Sequence, residues 1–215
     1  MNVSRVRMMR DAKLPSILTE LPVSPDISMQ VLSTSLPEVK LIVPKLFRDE
    51  RGFFCETYNR QTLIDASGID AVFVQDNHSR SEQVGVVRGL HFQTDPQAQG
   101  KLVRVVAGAV FDVAVDIRTG SPTYGQHMSF VLSAANFTQA WIPVGFAHGF
   151  CTLEAGTEVI YKVTAPYDAA CDRGLAWDDP SLEIKWPVTA AAAVLSAKDR
   201  QHPQLSQLPD YFSYK

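Results

Sequence analysis

From residue 40 onward the chain alternates short apolar, β-branched stretches with turn residues. Residues 40–43, 102–106, 110–117, 128–132, 139–142, 150–153 and 158–164 are the clearest of these stretches, each four to eight residues long. That length and spacing, bounded by Gly and Pro clusters, predicts strands. Thr119-Gly120-Ser121-Pro122 and Pro143-Val144-Gly145 are two such clusters. Residues 53–58 alternate, with Phe54, Glu56 and Tyr58 on one face. Residues 102–106 and 110–117, joined at Ala107-Gly108, predict a hairpin of long strands. Two segments have a helical texture: 60–67, closed by Gly68, and 190–197. Residues 110–117 and 127–132 are too apolar to be solvated on both faces. They imply two sheets packed face to face, as in a jelly roll, or one sheet covered by a partner subunit. An all-β sandwich or barrel with a few short helices is the fold class these features predict.

Residues 1–36 break this pattern. They carry Pro15, Pro22 and Pro25 among Ser and Thr, with Pro37 just beyond, and lack a clear period. They are expected to form an N-terminal extension, mobile or packed on a partner subunit, ahead of one domain over 37–215. The extension has basic residues but no apolar core or small-residue cleavage motif, so a secretory signal is not expected. No apolar run approaches 18 residues, so a helical membrane span is not expected. Twenty Lys and Arg against 23 Asp and Glu give a net charge of −3, which offers nucleic acid no basic footprint. Cys55, Cys151 and Cys171 are odd in number and contain no CxxC pair, which argues against a disulfide framework or a thiolate zinc site. Buried thiols in a reducing cytoplasm are the expectation.

The polar residues on apolar strands carry the candidate chemistry. In Val87-Arg88-Gly89-Leu90-His91-Phe92-Gln93 an Arg, a His and a Gln interrupt a strand, and Lys101 follows in a glycine-marked segment. Such groups must face a partner or a cavity, because unpaired burial is costly. A cavity holding Arg, Lys, His and Gln suits an anionic ligand. His148, in Val144-Gly145-Phe146-Ala147-His148-Gly149, is either a structural corner or a second imidazole of the pocket; spacing leaves both open. His78, His127 and His202 are expected at the surface or in turns. No two histidines are one residue or one helical turn apart, so no metal site is expected. The chain has no GxSxG elbow and no phosphate-cradling glycine loop. Acid–base chemistry remains, with His91 as a base near neutral pH. Tyr161 is a candidate acid and Asp199 a candidate partner for a histidine, each with an ordinary structural alternative.

Nine stretches together are similar to a known family: FRDERGFFCETY, FVQDNHSRS, VVRGLHFQ, QGKLVRVVAGAVFDVAVDIR, SPTYG, IPVGFAHGF, VIYKVTAPY, RGLAWDDPSLEIKWP and LSAKD. They run in the family's order from about residue 41 to 203. The chain resembles the dTDP-4-dehydrorhamnose 3,5-epimerases. The resemblance implies a cupin-type jelly-roll β-sandwich, a homodimer, no metal and no organic cofactor. It implies a cytoplasmic isomerase acting on a dTDP-linked 4-keto-6-deoxyhexose, with no nucleic-acid or membrane partner. By motif, His91 resembles the catalytic base, Asp199 its carboxylate partner, Tyr161 the acid and Lys101 the lysine beside the substrate carbonyl. Arg51 and Arg88 resemble residues that hold the diphosphate and sugar. Phe47, Glu56, Gln75, Asn77, His148, Tyr167 and Lys198 resemble further substrate-pocket positions. Phe47, Arg51 and Glu56 are expected to serve the pocket of the neighbouring subunit. The alternatives are an epimerase of one centre only, on a related dTDP-4-keto-6-deoxy sugar in an antibiotic-sugar pathway, and a non-catalytic cupin that binds a nucleotide sugar. A metal-dependent cupin oxygenase is a further rival.

Overall fold

The computed structural model describes residues 29–214. In chain order the strands are β1 (Met29–Leu32), β2 (Lys40–Pro44), β3 (Phe47–Asp49), β4 (Gly52–Phe54), β5 (Gln75–Ser81), β6 (Val87–Gln93), β7 (Lys101–Ala107) and β8 (Ala109–Asp116). They continue with β9 (Arg118–Thr119), β10 (His127–Ser133), β11 (Gln139–Ile142), β12 (Phe146–Thr152), β13 (Thr157–Val163), β14 (Asp172–Gly174) and β15 (Phe212–Ser213). Helix α1 (Arg60–Ser67) follows β4. Short 3-10 turns at Pro180–Leu182, Asp199–Gln201 and Leu205–Gln207 punctuate the C-terminal segment.

A six-stranded sheet runs β1-β2-β11-β7-β13-β5, and a five-stranded sheet runs β10-β8-β12-β6-β14. Pairing within both sheets is antiparallel. The sheets pack face to face over Val103, Val105, Ile142 and Val159 from one and Val110, Ala114, Leu132, Phe146 and Phe150 from the other. The outer face of the five-stranded sheet is buried too, where Phe111, Val113 and Val115 meet Leu175, Trp177 and Leu182 of the C-terminal segment. This explains why every residue of β8 is buried and why its sequence is apolar on both faces, broken only by Asp112 and Asp116. Each such side chain removed from water contributes about 1.5–3 kcal/mol. Together the sheets form the expected jelly-roll sandwich.

Helix α1 forms where the sequence expected it. Asn59 accepts from the Gln61 and Thr62 backbone N–H groups at its start, and Gly68 closes it in the left-handed conformation with φ of 73°. Four expectations need correction. Residues 102–106 and 110–117 are not a hairpin: β7 and β8 belong to different sheets, and the chain crosses between them at Gly108. Alternation looks alike on both strands because both line the same core. Residues 53–58 do not form a strand throughout; β4 ends at Phe54, and the chain then runs irregularly into the α1 cap. Residues 190–197 are turns with one bridge, Val194 to Val86, rather than helix. Finally, the domain starts earlier than residue 37. Strand β1 pairs along β2, and Leu36 is 1% exposed in the core. What was expected of residues 1–28 lies outside the described residues.

Candidate active site

Between the sheets, away from the apolar core, the inward positions turn polar. Two adjoining clefts of about 280 and 410 Å³ open there and share His91, Lys101, Tyr161 and Lys198 as walls. Strand β6 supplies Arg88 and His91 to the same cleft. Simple alternation would set residues three apart on opposite faces. The β6–β12 ladder slips between them, so that Phe150 stands opposite Arg88 and His148 opposite His91. Three steps on β6 against two on β12 is a bulge, which turns both side chains inward. The two strands come very close at this point. A Cβ on Gly89, whose φ is +126°, would lie 2.6 Å from the Gly149 Cα.

Asp199 arrives from the C-terminal segment, 108 residues beyond His91. Its backbone N–H donates to Ser196 Oγ at 3.1 Å. His91 Nε2 and Asp199 Oδ1 are 2.7 Å apart, with the Asp199 side chain 6% exposed. A carboxylate opposite Nε2 requires Nε2 to carry the proton, which leaves the lone pair on Nδ1. Lys101, at the start of β7, donates to the His91 carbonyl at 3.2 Å. A second pair lies deeper, where His148 Nε2 meets Asp112 Oδ1 at 2.8 Å.

Burial and charge set the protonation states. Burial pushes Lys101 down to about 8, against the opposing pull of the Asp172 and Asp112 carboxylates. Burial also lowers His91 below its ordinary value, and the Asp199 carboxylate recovers only part of that shift. His91 is therefore a neutral imidazole at pH 7. Burial would raise Asp199, yet the imidazoles of His202 and His91 beside it hold it well below the usual carboxylate range. Tyr161 is raised by burial, with Arg88 pulling the other way, so its phenol stays protonated at neutral pH. A neutral base, a cationic lysine, a protonated phenol and a fixed carboxylate therefore share one cleft. This set can move a proton at carbon and stabilise negative charge on an adjacent oxygen.

The family model for dTDP-4-dehydrorhamnose 3,5-epimerase matches residues 33–207. The chain belongs to the dTDP-4-dehydrorhamnose 3,5-epimerase family. A dTDP-4-dehydrorhamnose 3,5-epimerase from Sinorhizobium fredii is 55% identical over 186 residues, spanning 86% of this chain and 94% of its own. Among solved structures, a 3,5-epimerase from Legionella pneumophila in complex with dTDP-4-keto-L-rhamnose superposes with a TM-score of 0.83 at 46% identity, covering 87% of this chain and 99% of that one. A dTDP-4-dehydrorhamnose 3,5-epimerase from Bacillus anthracis, with TDP and PPi bound, gives 0.79 at 49% identity, covering 82% and 99%.

In this epimerase-family chain the structure gathers ten of the thirteen residues expected at the site around the two clefts: His91, Lys101, Tyr161, Asp199, Arg88, His148, Lys198, Gln75, Asn77 and Tyr167. Gln75 donates to Asn77 Oδ1 at 2.8 Å and accepts from the Tyr167 backbone N–H at 3.0 Å, which holds three of them as a unit. Arg88 is tethered by Ser81 Oγ at 3.2 Å and the Arg80 carbonyl at 3.1 Å. Phe47, Arg51 and Glu56 stand apart. Phe47 and Arg51 lie on the β3–β4 hairpin, where Arg51 pairs with Asp49. Glu56 accepts from Asn59 at 3.1 Å and Thr62 at 3.2 Å near the start of α1.

Three residues escaped the sequence reading. Asp112, a carboxylate inside an apolar strand, was visible as a signal. Asp172 accepts from Tyr167 Oη at 3.1 Å and pairs with Lys198, and nothing in its sequence context marks it. His202, expected at the surface or in a turn, is instead tucked against Asp199 Oδ1 at 3.5 Å with its side chain 9% exposed.

Proposed function

We propose that this chain inverts C3 and C5 of dTDP-4-dehydro-6-deoxy-D-glucose, giving dTDP-4-dehydro-L-rhamnose, by base-catalysed enolisation. The observation that supports it best is the arrangement of the cleft in a chain of this family. The His91–Asp199 pair stands in the wall made by the five-stranded sheet and the C-terminal segment, and Tyr161 and Lys101 stand in the wall made by the six-stranded sheet. The C4 ketone acidifies the hydrogens on C3 and C5. His91 Nδ1 takes one of them, and Asp199 accepts the Nε2–H and stabilises the resulting imidazolium. The electron pair left on carbon moves onto the C4 oxygen. Lys101, cationic below about pH 8, stabilises that enolate oxygen. Tyr161 returns a proton from the opposite face and inverts the centre. Release of the His91 proton and reprotonation of Tyr161 reset the site for the second carbon. Arg88 forks onto the diphosphate, and Gln75, Asn77, Tyr167 and Lys198 line the adjoining chamber for the rest of the nucleotide sugar.

A second copy of the chain completes the pocket in this reading. Phe47, Phe53 and Phe54 on the β3–β4 hairpin are 54%, 56% and 68% exposed, an apolar surface suited to a partner subunit. The hairpin would carry Phe47 and Arg51, with Glu56 behind it, to the neighbour's site. No helix among the described residues is long and apolar enough to cross a membrane, and Cys55, Cys151 and Cys171 are free thiols, as the cytoplasm would keep them.

Product identity tests the reaction. The proton couplings of the product should be those of the L-lyxo hexulose, with both centres inverted. A product inverted at C3 alone would replace this reading with the single-centre one. Complementation tests the shared pocket. Mixed His91→Asn and Arg51→Glu protomers, each inactive alone, should regain activity on exchange of subunits. No recovery would return the hairpin residues to their own chain.

A further inference from the structure

His202 occupies a built position that the proposed reaction does not use. Its ring lies over the backbone of Gly174, where a Cβ would stand 2.3 Å from the ring atoms Cε1 and Nε2. Gly174 is itself paired with His91 across the β14–β6 ladder, so the slot is part of the sheet that carries the base. The two imidazoles meet edge to face, with ring centroids 5.5 Å apart at 82°. His202 Nε2 is buried, makes no hydrogen bond, and lies 3.5 Å from Asp199 Oδ1. A buried polar nitrogen left without a partner is costly unless something occupies its lone pair or proton.

One ligand atom each from His91, Asp199 and His202 lies within 4.8 Å of the other two. A tetrahedral zinc with ligands at about 2.0–2.1 Å sets its donors about 3.4 Å apart. The His202–Asp199 separation of 3.5 Å already matches, the His91–Asp199 separation of 2.7 Å has to open, and the two imidazole donors, within 4.8 Å of each other, have to settle at the same spacing. We propose that His91 Nε2, Asp199 Oδ1 and His202 Nε2 form an inhibitory site for zinc and similar divalent transition metals, whose occupancy silences the base. Two imidazoles and one carboxylate suit this class of ion rather than calcium or magnesium, which prefer all-oxygen shells. His91, 32% exposed, faces the cleft and gives the ion its entry path.

Silencing follows from the tautomer. In the metal-free site the His91 proton sits on Nε2 and the lone pair on Nδ1. Metal at Nε2 takes the lone pair there, so the one proton of the neutral ring moves to Nδ1. The nitrogen facing the substrate is then a donor and cannot accept the C3 or C5 hydrogen. No proton is lost or gained by the ring. The inhibition rests on His91 being the base; the metal site does not.

The test uses the full chain, freed of metal with EDTA. Cobalt(II) titration should give one equivalent of tetrahedral visible absorption per chain, displaced by zinc. Zinc should stop deuterium exchange into the substrate and EDTA should restore it. His202→Phe should raise the zinc concentration for half inhibition, measured against that variant's own rate, by roughly tenfold or more, since even outer-shell losses change metal affinity by 10–100-fold. His202→Cys, which keeps a ligand, should retain tight cobalt binding and add a thiolate charge-transfer band. In wild type, zinc should shift the ring nitrogen resonances of His91 and His202 together, which needs no variant to fold. Equal zinc sensitivity in His202→Phe, or a shift of His91 with His202 unmoved, would overturn the proposal. Cobalt absorption and ring resonances are read without turnover, so a chain that proved not to be an epimerase would still answer for the metal.

Discussion

Asp199→Asn isolates the charge of the carboxylate with almost no change in shape. The side chain is 6% exposed and its Oδ1 lies 2.7 Å from His91 Nε2, so little water is present to replace it. In the ground state the bond joins a neutral imidazole to a carboxylate. As His91 takes a proton from carbon, the bond becomes an ion pair, so Asp199 acts mainly on the transition state. A hydrogen bond to a charged group contributes about 1.5–3 kcal/mol. At about 1.4 kcal/mol per factor of ten, its loss lowers kcat by about 10- to 150-fold. An asparagine that turns its NH2 toward Nε2 would also force the wrong tautomer and deepen the loss. The pH profile gives an independent sign. Burial already holds His91 below its ordinary value of 6.5, and Asp199 is what partly offsets that. Removing the carboxylate lowers His91 further, so the acid limb of kcat/KM moves to lower pH. The assay is the initial rate of deuterium incorporation into the substrate from pH 5 to 9, with thermal melting as a control for folding. A rate within threefold of wild type, or an acid limb that stays in place or moves up, would refute the role given to Asp199.

Tyr161→Phe should still let His91 remove a proton, so the variant exchanges deuterium while failing to invert; equal loss of both would make Tyr161 a binding residue. Lys101 must be charged to hold the enolate, so kcat/KM should fall above about pH 8, where the buried amine loses its proton. Lys101→Met should abolish that basic limb along with most activity, and a limb that persists would assign it to another group. Arg88→Lys and Arg51→Lys keep the charge but lose the fork, and each should weaken dTDP binding by about 1–3 kcal/mol in calorimetric titration. If affinity holds while the free protein melts earlier, those arginines are structural ion-pair residues.

The core strands were legible because their inward positions are apolar, and α1 was legible because Gly68 closes it. Strand β5 was not. In Gln75–Ser81 the outward residues Asp76, His78 and Arg80 are exposed, and the inward Gln75, Asn77 and Ser79 line a polar cleft. A strand that faces water on one side and a polar pocket on the other carries no hydrophobic alternation. The same logic hid the sheet crossing at Gly108, since periodicity reports which face is buried and not which strand lies alongside. Arg88 and His91 were grouped correctly by chemistry, although their spacing contradicts a regular strand, because a bulge resets the alternation. Asp199 was legible on its own only as a carboxylate able to partner some histidine, and its assignment to His91 came from the resemblance to the family motif. His202 was out of reach because its burial depends on the slot over Gly174, a contact across 28 residues that no local pattern records.

The central claim is that one histidine abstracts a proton at two carbons of the same sugar. Proton NMR of dTDP-4-dehydro-6-deoxy-D-glucose in D₂O reads it directly. Wild-type protein should replace the C3 and C5 hydrogens with deuterium. His91→Asn, still folded and still binding dTDP, should slow both exchanges together by roughly 10²–10⁴-fold, the range for loss of a general base. Exchange at only one carbon in the wild type, or an unaltered exchange rate at either carbon in His91→Asn, would contradict the account.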